Sequence, residues 1–281
     1  MRFTKMQGTG NDYVYVSLFD ERVEDAPTLA RRVSDRHTGI GSDGLILIAP
    51  SVDADVRMEM YNADGSRGRM CGNGIRCVAK YAVEHGLASG PTLRVETDSG
   101  VKHVECQLEE GRVVSVRVAM GEPSLDAKKL PSTYRIDRIV NEPIAVERVS
   151  FEITCVSMGN PHAVIFVDEP QRIDLPLVGP LIEHAHQFPE RINVHFVRVD
   201  KPNHVTVRTW ERGSGATRAC GTGACAVCVA GAITGRAERL ITTALPGGPL
   251  EIEWANDNHV YMTGPAVEVF SGTWPRSSGQ S

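Results

Sequence analysis

Two cysteines in near-identical surroundings carry the strongest chemical signal in the sequence: Cys71 in MCGNG (70–74) and Cys220 in ACGTG (219–223). A free thiol titrates near about 8.5, and a helix N-terminus can bring it to about 3.5–7.5, because the unpaired amides and the helix dipole favour the thiolate. The same amides bind carboxylates, and the flanking glycines let the backbone approach a ligand with no Cβ in the way. Each CGxG therefore offers an anion-binding nest and a proton-accepting sulfur. If two such sulfurs faced one carbon from opposite sides, a thiolate could take a proton from one face while a thiol returned one to the other. Racemases and epimerases need such a pair, since a single base returns the proton to the face it left.

The elements around the cysteines repeat with them. Cys71 and Cys220 are 149 positions apart, and the same offset places Gly10-Asn11 on Gly159-Asn160, GLILI (44–48) on NVHFV (193–197), and Tyr61-Asn62 on Trp210-Glu211. Gly-Asn, an apolar strand, a second strand and CGxG thus recur in one order, which implies a duplicated unit and a pseudo-twofold arrangement. VKHVECQL and SFEITCVSM alternate at period two, as half-buried strands do. After each CGxG the period changes. Ile75, Val78, Ala79, Ala82, Val83 and Leu87 describe an amphipathic helix ending near Gly86, and ACAVCVAGAIT, apolar almost all round, describes a helix buried on every side. Asn73 and Thr222 are good N-cap types, which sets each cysteine just ahead of a helix. The fold class expected is α+β: two pseudo-symmetric domains, each a mostly antiparallel sheet wrapped around a central helix. The domains are expected at 1–121, with 266–275 returning to the first, and at 122–265, followed by a disordered tail at 276–281.

The bulk properties narrow the partners. A chain of 281 residues with 41% apolar and 23% charged residues, a net charge of −5 and a pI near 6.0 gives no reason to expect nucleic acid or an acidic membrane surface. The opening MRFTKMQGTGND has no apolar core of signal-peptide length, and no window reaches the length of a membrane span, so the expected location is cytoplasmic. Seven cysteines, unevenly spread, read as reduced thiols. Cys106 and Cys155 fall on the apolar phase of strands, and Cys77, Cys225 and Cys228 fall inside helices, all as core.

The blocks GTGNDYV (8–14), YNADGSRGRMCGNGIRC (61–77), MGNPHAV (158–164), INVHFV (192–197) and ERGSGATRACGTGACA (211–226) together resemble diaminopimelate epimerase over nearly the whole chain. The resemblance implies cofactor-free, two-base epimerisation of LL-2,6-diaminopimelate to the meso form in lysine and peptidoglycan precursor synthesis, usually by a homodimer. Cys71 and Cys220 match the catalytic pair. Asn11, Asn62, Asn160, Asn193, Glu211 and Arg212 match substrate-binding positions, together with the backbones of Gly72, Asn73, Gly221 and Thr222. His162 and Glu211 match positions that tune the cysteines. Many members carry Gln where this chain has Gly44, so no side-chain contact is assigned there. Two low-pKa sulfurs flanking one carbon would also be candidates for an oxidative crosslink.

Other readings compete. Proline racemase-like enzymes also use paired cysteines, but their first block resembles CGHG, where this chain has Asn73. Relatives acting as trans-2,3-dihydro-3-hydroxyanthranilate isomerases share the fold without the cysteine pair. From another class, the two cysteines could be redox groups or metal ligands, and Cys220, Cys225 and Cys228 give the Cx4CxxC spacing of an iron–sulfur site. That run has no later cysteine and ends inside the expected helix. GIGSDG (39–44) matches GxGxxG but precedes its strand instead of following one, and reads as a turn.

Overall fold

The computed structural model describes residues 1–147 and 149–275; the expected disordered tail at 276–281 lies outside the described residues. The chain divides into two compact units, Met1–Val118 with the segment from Gly264 onward, and Ala119–Thr263.

Unit 1 contains β1 (Arg2–Gly8), β2 (Asn11–Ser17), α1 (Ala26–Ser34), β3 (Gly44–Ala49), β4 (Val56–Asn62), β5 (Arg67–Gly68), α2 (Gly72–Glu84), β6 (Thr92–Thr97), β7 (Gly100–Glu109) and β8 (Arg112–Gly121). Unit 2 contains β9 (Glu142–Val146), β10 (Val149–Ser157), β11 (Pro161–Phe166), α3 (Leu175–Glu183), β12 (Asn193–Lys201), β13 (His204–Glu211), β14 (Gly215–Thr217), α4 (Gly221–Ile233), β15 (Leu240–Leu245), β16 (Gly248–Trp254) and β17 (Val260–Gly264). The last strand, β18 (Val267–Thr273), returns to unit 1 and pairs with β1.

The two units follow one plan. β1–β2, β3–β4, β6–β7 and β7–β8 are antiparallel, while β2–β3 and β4–β6 are parallel. Unit 2 repeats the pattern, with β11–β12 and β13–β15 parallel and β10–β11, β12–β13 and β15–β16 antiparallel. Register repeats too: Tyr13 opposes Gly44 as His162 opposes Asn193, and Met60 opposes Gly68 as Thr209 opposes Thr217. Past the central helices Val56 pairs with Val95 and Val205 with Thr243, so one residue is lost in the second copy between helix and strand. The α+β class read from alternation and helical periodicity is the class observed.

Each central helix is sheathed by strands. α2 packs on β1, β2, β4, β6 and β7, and α4 on β10, β11, β12, β15 and β16. β3 is buried at all six positions because it has helices on both faces: Leu45 and Leu47 join Val14, Ala30 and Val33 in the core under α1, while Ile46 lies against α2 at Gly74. A strand covered on both faces reads as a continuous apolar run, which is why GLILIA lacks alternation. α4 is apolar all round and buried from Gly223 through Gly231, as its sequence implies. Among the described residues, no helix is long and apolar enough to cross a membrane.

Candidate active site

Both cysteines sit at helix starts, and the caps lie two positions earlier than expected: the N-caps are Cys71 and Cys220 themselves, and Asn73 and Thr222 lie within the first turn. Each cysteine has extended backbone, φ −130° and −118°, which turns its own carbonyl into the helix: Ile75 N–H donates to Cys71 O and Ala224 N–H to Cys220 O. A sulfur can serve as cap acceptor in place of the usual oxygen, and Gly74 N–H donates to Cys71 Sγ at 3.4 Å.

In unit 1, the Cys71 thiol donates to Asn11 Oδ1 at 3.2 Å. The Asn11 amide is held in that sense because its Nδ2 donates to Asp43 Oδ2 at 2.7 Å, and Arg36 bridges Asp43 to Asp12. Asn62 closes β4 and its Nδ2 donates to Ser66 Oγ at 2.9 Å. Asn73 is buried, its Oδ1 accepting from Arg76 Nη1 at 3.0 Å; Arg76, fully buried, also donates to Gly72 O, Thr9 Oγ1 and Pro265 O. A buried guanidinium therefore stands immediately behind the Gly72–Asn73 nest. Gly44 has no room for a side chain: a Cβ would lie 2.2 Å from Tyr61 O and 2.8 Å from the Tyr13 ring. Burial raises the Tyr13 phenol first, with Cys71 and Asp43 adding to it.

In unit 2, Asn160 Nδ2 donates to Thr222 Oγ1 at 3.4 Å, and Thr222 Oγ1 is 3.7 Å from Cys220 Sγ. Asn160 Oδ1 accepts from His162 Nε2 at 2.9 Å. Asn193 clamps the neighbouring turn, donating to Pro161 O at 2.8 Å and accepting from Arg212 N at 2.9 Å. Glu183, at the end of α3, holds the same turn by accepting from Trp210 Nε1 at 2.7 Å and from Gly213 N at 2.9 Å. Glu211 accepts from the Thr217 hydroxyl, and Arg212 Nη1 donates to Glu190 O at 3.2 Å. Gly221 is buried in the first turn of α4.

The expectation of a lowered thiol at both cysteines is corrected at Cys220. Burial pushes this thiol well up, and the Glu211 carboxylate adds to the effect by charge and as a hydrogen-bond acceptor; the Gly223 amide and Thr222 hydroxyl only oppose it. The other cysteines behave as core: burial raises Cys77 and Cys106 to about 11 and Cys228 to about 12, and it raises Cys155 as well. Cys228 Sγ is directed at the carbonyls of Arg239 and Ile252 from inside α4. Burial also holds His162 well below the usual histidine range, helped by His195 and Arg212.

Each unit thus carries a helix-start cysteine, an asparagine at the head of β2 (Asn11) or just ahead of β11 (Asn160), and a residue at the end of β4 (Asn62) or β13 (Glu211). Asp43, Arg76 and Glu183, which orient Asn11, Asn73 and the Glu211–Arg212 turn, were not singled out in the sequence. A buried Arg in an otherwise amphipathic helix was the one available sign.

Comparison with known proteins finds a matching family. The family model described as diaminopimelate epimerase matches residues 3–125 and 154–269. The chain is 51% identical to diaminopimelate epimerase of Acetivibrio thermocellus over 273 residues, 97% of this chain and 98% of the relative. It is 52% identical to that of Moorella thermoacetica over 277 residues, 98% and 99% of the two chains. Among solved structures, a probable proline racemase from Agrobacterium radiobacter superposes with a TM-score of 0.70 at 15% identity, covering 98% of this chain and 92% of that one. A phenazine biosynthesis protein from Bacillus anthracis gives 0.68 at 14% identity, covering 97% and 98%. At these identities the structures show the shared fold. The long, highly identical relatives and the two-part family match together establish that the chain belongs to the diaminopimelate epimerase family.

Proposed function

We propose that this enzyme inverts one α-carbon of LL-2,6-diaminopimelate, giving the meso form in lysine biosynthesis, with Cys71 and Cys220 as its acid–base pair. The observation that supports the assignment is the duplication itself: the two sulfurs occupy the same N-cap position of equivalent helices. In one direction a thiolate takes the α-proton into an S–H bond, and the electron pair moves toward the substrate carboxylate. The opposite thiol then gives its proton to the other face, leaving a thiolate, so charge and protons balance over the turnover.

Asn11, Asn62, Asn160, Asn193, Glu211 and Arg212 supply the donors and acceptors that recognise two amino acid ends, and the first-turn amides at Gly72–Asn73 and Gly221–Thr222 receive the carboxylate. Preorganised donors facing developing negative charge are worth about 3–4 kcal/mol each. Burial and Glu211 leave Cys220 protonated at rest, which suits the acid in the first half-turnover. Glu211 and His162 tune the sulfur. The same reading takes the enzyme as a cytoplasmic homodimer acting on a small molecule without a cofactor.

The test is incubation with LL-diaminopimelate in deuterated water, where deuterium should enter one α-carbon. Cys71→Ala and Cys220→Ala should each lower inversion by about 10²–10⁴-fold. Normal turnover by either variant removes that residue from the pair, and inversion of proline at a comparable rate would favour the proline racemase-like reading.

A further inference from the structure

Behind Cys220 lies a buried hydrogen-bonded file that the acid–base pair alone does not require. His195 Nε2 is 2.9 Å from His162 Nδ1, and His195 Nδ1 is 2.9 Å from Thr209 Oγ1. His162 in turn meets Asn160, which meets Thr222 beside the sulfur. His162, His195 and Thr209 are all buried.

The direction of every donor follows by elimination. The Asn160 carbonyl can only accept, so His162 carries its proton on Nε2. Burial holds both histidines neutral, His195 at about 3. His162 Nδ1 therefore accepts, His195 donates from Nε2, and His195 Nδ1 accepts from the Thr209 hydroxyl. At the other end the Asn160 amide group donates to Thr222, which leaves the Thr222 proton for the sulfur. All donors point from Thr209 toward Cys220.

The file belongs to one copy only. At the matched offset unit 1 has Tyr13, Ile46 and Met60 in place of His162, His195 and Thr209. Unit 2 makes room for it: a Cβ on Gly223 would lie 2.2 Å from His195 Cε1, so the second glycine of ACGTG is where the imidazole packs. Burying two imidazoles and a hydroxyl where the other copy has apolar side chains and a phenol costs stability unless every group is paired, as these are.

We propose that His195 and Thr209 are positioning residues for Cys220: they fix the His162 tautomer, hold the Asn160 amide group toward Thr222, and so keep a hydroxyl donor on the sulfur. The inference rests on the two-thiol reading. The groups facing Cys220 are Glu211 from β13, which opposes its ionisation, and the Gly223 amide and Thr222 hydroxyl of α4, which favour it. The neutral His162 and His195 reach it from β11 and β12 through Asn160. The file counters burial and Glu211, so that the same sulfur can act as base in the reverse reaction.

The test is alkylation by iodoacetamide of the full-length protein, followed by mass spectrometry, with Cys71 as internal reference. Thr209→Val keeps the side-chain shape and removes the first donor. The Cys220 rate at fixed pH should fall about tenfold, equivalent to about one unit in the thiol titration, with Cys71 unchanged and kcat reduced more than KM is altered. His195→Leu should act in the same direction. His195→Gln, whose amide can donate to His162 Nδ1, should recover most of the loss; a variant no better than His195→Leu assigns the effect to packing on Gly223 and overturns the role of His195. A Cys220 profile unmoved in Thr209→Val and His195→Leu, or a parallel change at Cys71, overturns the proposal. Alkylation is read without turnover, so the two readings fail separately: normal activity of Cys220→Ala removes the acid–base pair, whereas an unmoved profile with Cys220 still essential removes only the file.

Discussion

The two cysteine settings are built on the same backbone and wired in opposite senses. Beside Cys71, Asn11 turns its carbonyl to the thiol and its amide group to the Asp43 carboxylate. In the other unit, Asn160 turns its carbonyl to His162 and its amide group toward Thr222. The first nest has a buried cation behind it, Arg76, whereas the equivalent position in α4 is the buried Cys225. Duplication supplied two equivalent helix starts. Divergence of the side chains behind them gave the Cys71 thiol an amide carbonyl to donate to and set Cys220 between the Thr222 hydroxyl and the Glu211 carboxylate, so the two sulfurs hold their protons in different surroundings.

The comparison can be broken at its charged side first. Arg76→Met should destabilise the protein by about 2–3 kcal/mol, because buried acceptors at Thr9, Gly72 and Asn73 and the half-buried Pro265 carbonyl lose their donor. Urea unfolding measures it. A change within error of zero would mean the cation does not anchor the nest. Next come the paired glycines. Gly223→Ala drives a methyl into a hydrogen-bonded imidazole and should cost about 1–3 kcal/mol. Gly74→Ala crowds the terminal methyls of Ile46 and Met58, at 2.7 and 3.0 Å, which can rotate away, and makes an ordinary contact with Cys71 Cβ at 3.4 Å, so it should cost less. Equal melting temperatures for the two variants would erase the distinction between the copies.

Per pH unit, the smallest effect is on pH dependence. The folded protein holds both buried histidines below their ordinary range, so below about pH 6.5 the unfolded chain takes up more protons, and stability falls as pH drops from there toward about 3. The slope is at most about 1.4 kcal/mol per pH unit for each histidine. Urea midpoints across this range should therefore decline less steeply in His195→Leu than in the parent. Parallel declines would show that His195 keeps its proton uptake unchanged on unfolding.

Much of this organisation was legible in the sequence because it repeats. The 149-residue offset marks the matched strands, and the switch from period two to helical spacing after each CGxG marks α2 and α4. The N-caps were displaced because Asn and Thr are the usual capping types, whereas here the extended residue is the cysteine. The state of Cys220 was not legible, since burial and the approach of Glu211 depend on long-range packing that spacing does not record. His195 was hidden for a related reason: in NVHFV it stands among apolar neighbours, and only the pairing of β11 with β12 shows that it meets His162.

The return of β18 to pair with β1 sets an order of assembly. Unit 2 has its ninth strand, β9, just ahead of β10, so its sheet is complete in one continuous stretch of chain. Unit 1 must wait for Val267–Thr273, with the terminal ammonium of Met1 bonded to Trp274 O. On a ribosome the half made first therefore stays open along Arg2–Gly8 until the half made second has emerged, and late truncation should injure the N-terminal unit more than the unit next to the cut.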